Sequence, residues 1–216
     1  MRIKKLLPIL LILLGIALIF SSYASIVKDE IWYFLKEKKD QKIGIDIPSG
    51  QKDSVFARFL TSTPISITPI NKDFSIVIEK IGINSPVIAD VSVSDSKAYN
   101  EALQQGIAHA SVSDYPSTEA GNVYMFAHAS VNFWELGRYA TVFNLLRKME
   151  PNDRIHVFYK GQDFVYSVVN KEIYPGWNTY PVTRSVIEPI LTLQTCDPPG
   201  TTLNRLVVTA KLVEVI

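Results

Sequence analysis

The spacing of hydrophobic positions changes three times along this chain, and each change predicts a different element. From residue 6 to residue 27 no charge interrupts the sequence, and the stretch 10–20 is apolar apart from Gly15. Such a run, about 22 residues long, rises about 33 Å as a helix, enough to cross the hydrocarbon of a bilayer. Arg2, Lys4 and Lys5 precede it, which predicts a cytoplasmic N-terminus and an exported remainder. Pro8 falls in the first turn, where a helix tolerates it. Ser22-Tyr23-Ala24 also has the small-x-small form of a cleavage site, so a cleaved signal peptide is the competing reading. The uncharged run continues past that site to spanning length, which favours an uncleaved anchor.

Residues 26–39 predict a helix continuing beyond the apolar run, with Ile31, Phe34 and Leu35 on one side. Residues 40–72 lose the period and gather Pro48, Gly50, Pro64 and Pro69, the texture of a linker, with a short helix expected over 55–60. From Asp73 the texture becomes short alternating segments. Strands are predicted over 74–83, 86–91, 122–129, 154–159, 164–173, 189–195 and 203–215. Lys160-Gly161-Gln162-Asp163 marks a hairpin. Helices are predicted over 96–105, capped by Ser94 or Asp95 and stopped at Gly106, and over 141–149, stopped by Pro151. Residues 174–186 read as a loop. Many short strands with close turns predict a mainly β fold, a closed or nearly closed barrel with short helices, preceded by a transmembrane helix. Three regions follow: a basic tip and anchor over 1–27, a helix and extracellular linker over 28–72, and a barrel over 73–216.

Composition narrows the function. The 22 Lys and Arg nearly cancel the 21 Asp and Glu, so the basic face expected of a nucleic-acid binder is missing. The chain has one cysteine, Cys196, which excludes an internal disulfide and leaves a thiol outside the cell as a candidate reactive group. Its bland reading is a small buried hydrophobe. Yet Cys196 follows the apolar run Ile190-Leu191-Thr192-Leu193 and precedes Asp197-Pro198-Pro199-Gly200, which puts it at a strand end facing a stiff loop. A thiol nucleophile needs a base or cation nearby. His128 ends the strand Met125-Phe126-Ala127 and mirrors the placement of Cys196. His109 reads as a loop residue after a helix, and His156 as a mid-strand residue of structural kind. Arg205, at the start of the last strand, returns toward the thiol if residues 197–204 fold back, where its fixed charge would meet an oxyanion. Trp134, Tyr139, Trp177 and Tyr180 are candidates for lining a groove or for packing. The histidines and cysteine have no ligand-pair spacing for a metal, and Asp114, Glu119 and Asp163 form no EF-hand pattern, so no cofactor is expected and calcium activation is unsupported.

These segments together resemble the sortase family. Thr192-Leu193-Gln194-Thr195-Cys196 is similar to its TLxTC signature, and Asn204-Arg205-Leu206-Val207-Val208 to its downstream Arg-bearing strand. Gly121-Asn122-Val123-Tyr124-Met125-Phe126-Ala127-His128 resembles its GNxxxxGH strand, with Ala127 where Gly is usual, and 103–110 resembles the segment before it. The resemblance spans about 73–216. It implies an eight-stranded sortase barrel and a cysteine transpeptidase with Cys196 as nucleophile, His128 as proton-transfer partner and Arg205 as oxyanion-side cation. Thr195, His109 and Trp177 are the implied substrate-binding residues. The implied substrate is an LPxTG-like sorting motif near the C-terminus of an exported protein. The implied acceptor is an amine of the cell envelope or of a pilin. Two rivals remain: a hydrolase that resolves the same acyl-enzyme with water, and a non-enzymatic exported β-domain.

Overall fold

The computed structural model of the protein describes residues 3–39, 43–45, 65–130 and 139–216. The helix expected over 55–60, and Trp134, lie outside the described residues. The elements, in chain order, are α1 (Ile3–Lys38), β1 (Ile43–Ile45), β2 (Ile65–Ile67), β3 (Phe74–Ile78), β4 (Ile83–Val91), α2 (Ser96–Gln105), β5 (Ile107–Ala110), β6 (Gly121–Phe126), β7 (Arg154–Tyr159), β8 (Gln162–Pro175), α3 (Tyr180–Thr183), β9 (Pro189–Asp197) and β10 (Asn204–Val215). Two 3₁₀ turns, Glu79–Ile81 and Leu146–Lys148, complete the set.

Eight strands close into a barrel in the order β10-β8-β7-β3-β4-β5-β6-β9. Closure leaves no long edge for aggregation and turns one face of every strand inward. Ile76, Ile78, Ile107, Met125, Ile155, Leu191, Leu193 and Val208 fill the interior with almost no exposure. Two parallel pairs, β4 with β5 and β6 with β9, need long crossovers. The first crossover is α2, whose N-cap Asp95 accepts hydrogen bonds from the amides of Lys97 and Ala98 at 2.9 and 3.1 Å. Lys160 and Gly161, with φ of 50° and 85°, form the two-residue turn between β7 and β8.

Five local expectations are corrected or refined. The strand over 74–83 breaks at 79–82, because Gly82 takes φ 67° beneath the ring of Trp32, where a Cβ would lie 2.6 Å from the indole. The segment from Ile83 to Val91 is then one strand through Pro86. The helix over 141–149 is a series of turns with a 3₁₀ end, since the Phe143 amide donates to the carbonyl of His128 at 3.2 Å instead of continuing a helical ladder. His109 sits in strand β5, not in a loop. The linker is not featureless: β1 and β2 pair in parallel, and Ile67 packs with Val77 and Phe158.

The N-terminal helix runs unbroken for 36 residues and includes Pro8. Its placed apolar side chains between Ile9 and Leu18 project outward. Among the described residues no helix is long and apolar enough to cross a membrane. Past residue 28, α1 packs on the barrel: Tyr33 is buried, Lys36 donates to the carbonyls of Glu79 and Lys80 at 2.8 and 2.7 Å, and Glu30 pairs with Arg147 and Lys148.

Candidate active site

The alternation of three neighbouring strands sets the site. On β6, Tyr124 and Phe126 face outward, followed by His128 just past the strand end; on β9 it is Gln194 and Cys196; on β10 it is Arg205. These side chains floor one open groove of about 750 Å³. α2 walls one side with Ser96, Tyr99 and Asn100, and the segment between β8 and β9 walls another with Trp177, Asn178, Thr179 and Val182.

Backbone pairing fixes the three polar groups relative to one another. Arg205 is the direct cross-strand partner of Cys196. Phe126 pairs with Gln194 in the parallel ladder, so two residues further His128 comes alongside Cys196 on the adjacent strand. Ala127 donates its amide to Gln194 at 3.1 Å, and Gly200 donates to the Ala129 carbonyl at 2.7 Å, so both sides of His128 are tied to the β9 side of the groove.

The electrostatics follow from burial. Desolvation pushes the Cys196 thiol up, and the charge of Arg205 pulls it part of the way back. Desolvation pushes the His128 imidazole down, which favours its neutral form. Arg205 donates from Nη1 to the carbonyls of Thr202 and Asn204 at 3.3 and 3.1 Å, which aims the guanidinium along the loop side of the groove. No group of His, Cys, Asp or Glu suited to a metal occurs among the described residues.

Trp177 lines the groove and is 82% exposed, an aromatic face left largely uncovered by the described residues. Thr195 and His109 do not line it. Thr195 alternates away from Cys196 and is buried, and its hydroxyl donates to the Ala127 carbonyl at 2.8 Å. That bond holds the backbone next to His128, a positioning task in place of substrate contact. His109 is fully buried, stacked on Tyr115 at 4.6 Å and edge-on to Phe74 at 5.5 Å, with Nε2 donating to the Asp114 carbonyl at 3.0 Å. Interior packing explains its place, because β5 is buried along its whole length.

Two further residues shape the site without having been singled out from the sequence. Tyr99 stacks on Phe126 at 5.1 Å and meets His128 edge-on at 6.3 Å, packing the imidazole from the α2 side. Arg184 donates from Nη2 to the hydroxyls of Thr192 and Thr209 at 2.7 and 2.9 Å. Thr192 in turn donates to Asn122 at 2.7 Å, and Asn122 donates to the Pro181 carbonyl at 3.0 Å. This chain of bonds ties the short α3 segment to β6, β9 and β10.

The fold and the site together define a closed barrel that presents a thiol, an imidazole and a guanidinium from three adjacent strands to one groove. The family model described as Sortase domain matches residues 76–213. Sortase C-1 from Actinomyces oris is 25% identical, with 67% of this chain and 76% of that one covered and a TM-score of 0.55. Sortase E1 from Streptomyces coelicolor, solved with a tripeptide in the active site, is 22% identical over 67% of this chain and 89% of that one, with a TM-score of 0.55. Sortase A from Listeria monocytogenes is 19% identical over 66% and 87%, with a TM-score of 0.52. Among curated protein sequences none matches. The chain belongs to the sortase family and is an enzyme of its cysteine transpeptidase type.

Proposed function

We propose that this protein is a membrane-anchored sortase that cuts an LPxTG-like sorting motif near the C-terminus of exported proteins and joins the cut end to an amine of the cell envelope or a pilin. The observation that carries the proposal is the placement of Cys196, His128 and Arg205 on neighbouring strands of one groove. The Cys196 thiolate attacks the backbone carbonyl carbon of the motif threonine. The carbonyl electrons move to oxygen, where the Arg205 guanidinium supplies positive charge and donors. The C–N bond then breaks, the protonated His128 ring gives its proton to the leaving amine, and a thioester remains on Cys196. An amine attacks the thioester, the neutral His128 ring takes its proton, and the new amide leaves as the thiolate is restored.

Groove length supports a short motif. From Cys196 and Arg205 at one side to Tyr124 and Val182 at the other, the groove of about 750 Å³ suits a short extended peptide rather than a folded partner. Trp177, Val182 and Tyr124 give this stretch an apolar character suited to a leucine-proline start. The uncharged run over 6–27 behind Arg2, Lys4 and Lys5 supports a single-pass anchor with the barrel outside the cell.

The test is product analysis by mass spectrometry. The full chain in detergent micelles is incubated with a sorting-motif peptide library and triglycine, beside Cys196→Ala. A peptide cut after threonine and joined to glycine, lost in the variant, is the expected result. Cutting without joining in the presence of excess amines would favour the hydrolase. Product formation unchanged in Cys196→Ala would end the proposal.

A further inference from the structure

Residues 29–36 of α1 form one docking face. Asp29, Trp32, Tyr33 and Lys36 stand at i, i+3, i+4 and i+7, so they share a side of the helix. Asp29 accepts a hydrogen bond from Nδ2 of Asn144 at 3.1 Å. Glu30 pairs with Arg147 and, at 3.1 Å, with Lys148. Trp32 covers Gly82, Tyr33 joins the barrel core, and Lys36 fastens the Glu79–Ile81 turn through two carbonyls.

The surface contacted at Asn144, Arg147 and Lys148 is also the support of the candidate active-site histidine. His128 stands past the end of β6, so no further ladder holds it on that side. Its carbonyl accepts from the Phe143 amide at 3.2 Å, and Ser130 donates to the Ala140 carbonyl at 3.1 Å. Phe143 and Asn144 are adjacent: the first holds His128, the second holds Asp29. Residues 139–149 have only turns and a 3₁₀ end of their own, which gives them little internal rigidity. Phe143, Leu145, Leu146 and Met149 anchor them in the core, and their polar fixings include Asp29 and Glu30 on α1 and Lys171 on β8, the last donating to the carbonyls of Arg147 and Met149 at 2.6 and 2.9 Å.

We infer that the stretch of α1 beside the barrel, through Asp29 and Glu30 on Asn144 and Arg147, is a positioning element that sets His128 through the Phe143–His128 hydrogen bond. The inference rests on the proposed role of His128 for its effect on rate, but its structural half does not. It makes the anchor helix part of the catalytic unit rather than a tether. A form cut between helix and barrel would keep the groove residues and lose the alignment of one of them. Misplacing a catalytic group by about 1 Å can cost about 100-fold in rate, so the coupling has leverage.

The experiment uses the full chain in detergent micelles with histidine labelled at its carbonyl carbon. His109→Gln and His156→Gln variants assign the three resonances. Glu30→Arg sets like charges against Arg147 and Lys148. Asp29→Ala, a milder change, removes only the bond to Asn144. The swap Glu30→Arg with Arg147→Glu restores an ion pair. Glu30→Arg is expected to move the His128 carbonyl resonance and to lower kcat for a sorting peptide between about tenfold and 100-fold, with KM within about twofold. Asp29→Ala is expected to do the same to a smaller degree, and the swap to recover both signals. A His128 carbonyl resonance unmoved in both single variants would overturn the inference, as would a kcat loss that the swap leaves in place. Because the carbonyl signal needs no turnover, it still tests the docking if Cys196→Ala and His128→Ala prove the catalytic reading wrong.

Discussion

Arg205 lies directly across the antiparallel ladder from Cys196, so the guanidinium and the thiol leave adjacent strands on the same face. Among the described residues its charge is the one influence that pulls the thiol down against burial. Arg205→Ala is therefore expected to slow alkylation of Cys196 by iodoacetamide at neutral pH, because less thiolate is present. The same variant is expected to lose about 100-fold to 1,000-fold in kcat, the usual cost of removing an oxyanion donor. Arg205→Lys should recover the alkylation rate more fully than kcat, since a lysine keeps the charge but not the planar fork.

Burial sets the pH dependence. Ordinary Cys and His values, about 8.5 and 6.5, are already two units apart. Desolvation raises Cys196 and lowers His128, widening the gap. The resting pair at neutral pH is therefore expected to be mostly thiol and neutral imidazole. Alkylation of Cys196 should then rise with pH through a titration lying above the ordinary thiol value. By contrast kcat/KM needs the thiolate, which grows with pH, and the imidazolium, which shrinks, so it should peak midway between the two titrations. An alkylation profile that levels off near pH 6 would contradict this order.

Arg184 reaches two strand hydroxyls from a segment that supplies Trp177, Asn178 and Thr179 to the groove wall. Replacing it with Met removes hydrogen bonds to a charged donor, worth about 1.5–3 kcal/mol together with the strain of re-pairing Thr192 and Thr209. Arg184→Met is expected to raise KM for a sorting peptide about tenfold or more, with kcat changed far less, because the thiol, imidazole and Arg205 are held by other bonds. A fall in kcat at unchanged KM would place Arg184 in a different role.

Gly176 allows the groove wall to touch the β9–β10 loop: its amide donates to Leu203 at 2.8 Å, and a Cβ on it would lie 2.2 Å from the Thr202 carbonyl. Gly176→Ala must separate these two loops. The expected signs are weaker peptide binding and a lower Tm by a few degrees, read by calorimetry and a KM measurement; wild-type values for both would remove the bracing role.

Much of this was written locally in the sequence. The sequence puts Cys196 at a strand end with Arg205 returning toward it if 197–204 fold back, and the two residues do pair across β9 and β10; the hairpin at Lys160-Gly161 matched its turn chemistry. Strand alternation held a signal that was passed over: if Cys196 faces the groove, Thr195 faces away from it. Other features depend on distant partners. The break at Gly82 answers to Trp32, fifty positions earlier. Residues 141–149 have a helical hydrophobic spacing, but the amide of Phe143 is taken by His128, so tertiary bonding overrides the local pattern. His109 shows the same limit, since a residue in a short polar-flanked segment gives no sign that Tyr115 will stack over it. Arg184 carried no local mark at all; its role comes from the meeting of three strands.

The central claim is that Cys196 carries the acyl group. The most direct measurement is the intact mass of the full chain, quenched in acid during reaction with a sorting-motif peptide in the absence of added amine, followed by digestion to locate the adduct. The account expects a mass gain equal to the N-terminal part of the cut peptide, sited on Cys196, released by hydroxylamine as a thioester should be, and missing in Cys196→Ala. An adduct on another residue, or full peptide turnover by Cys196→Ala, would contradict it.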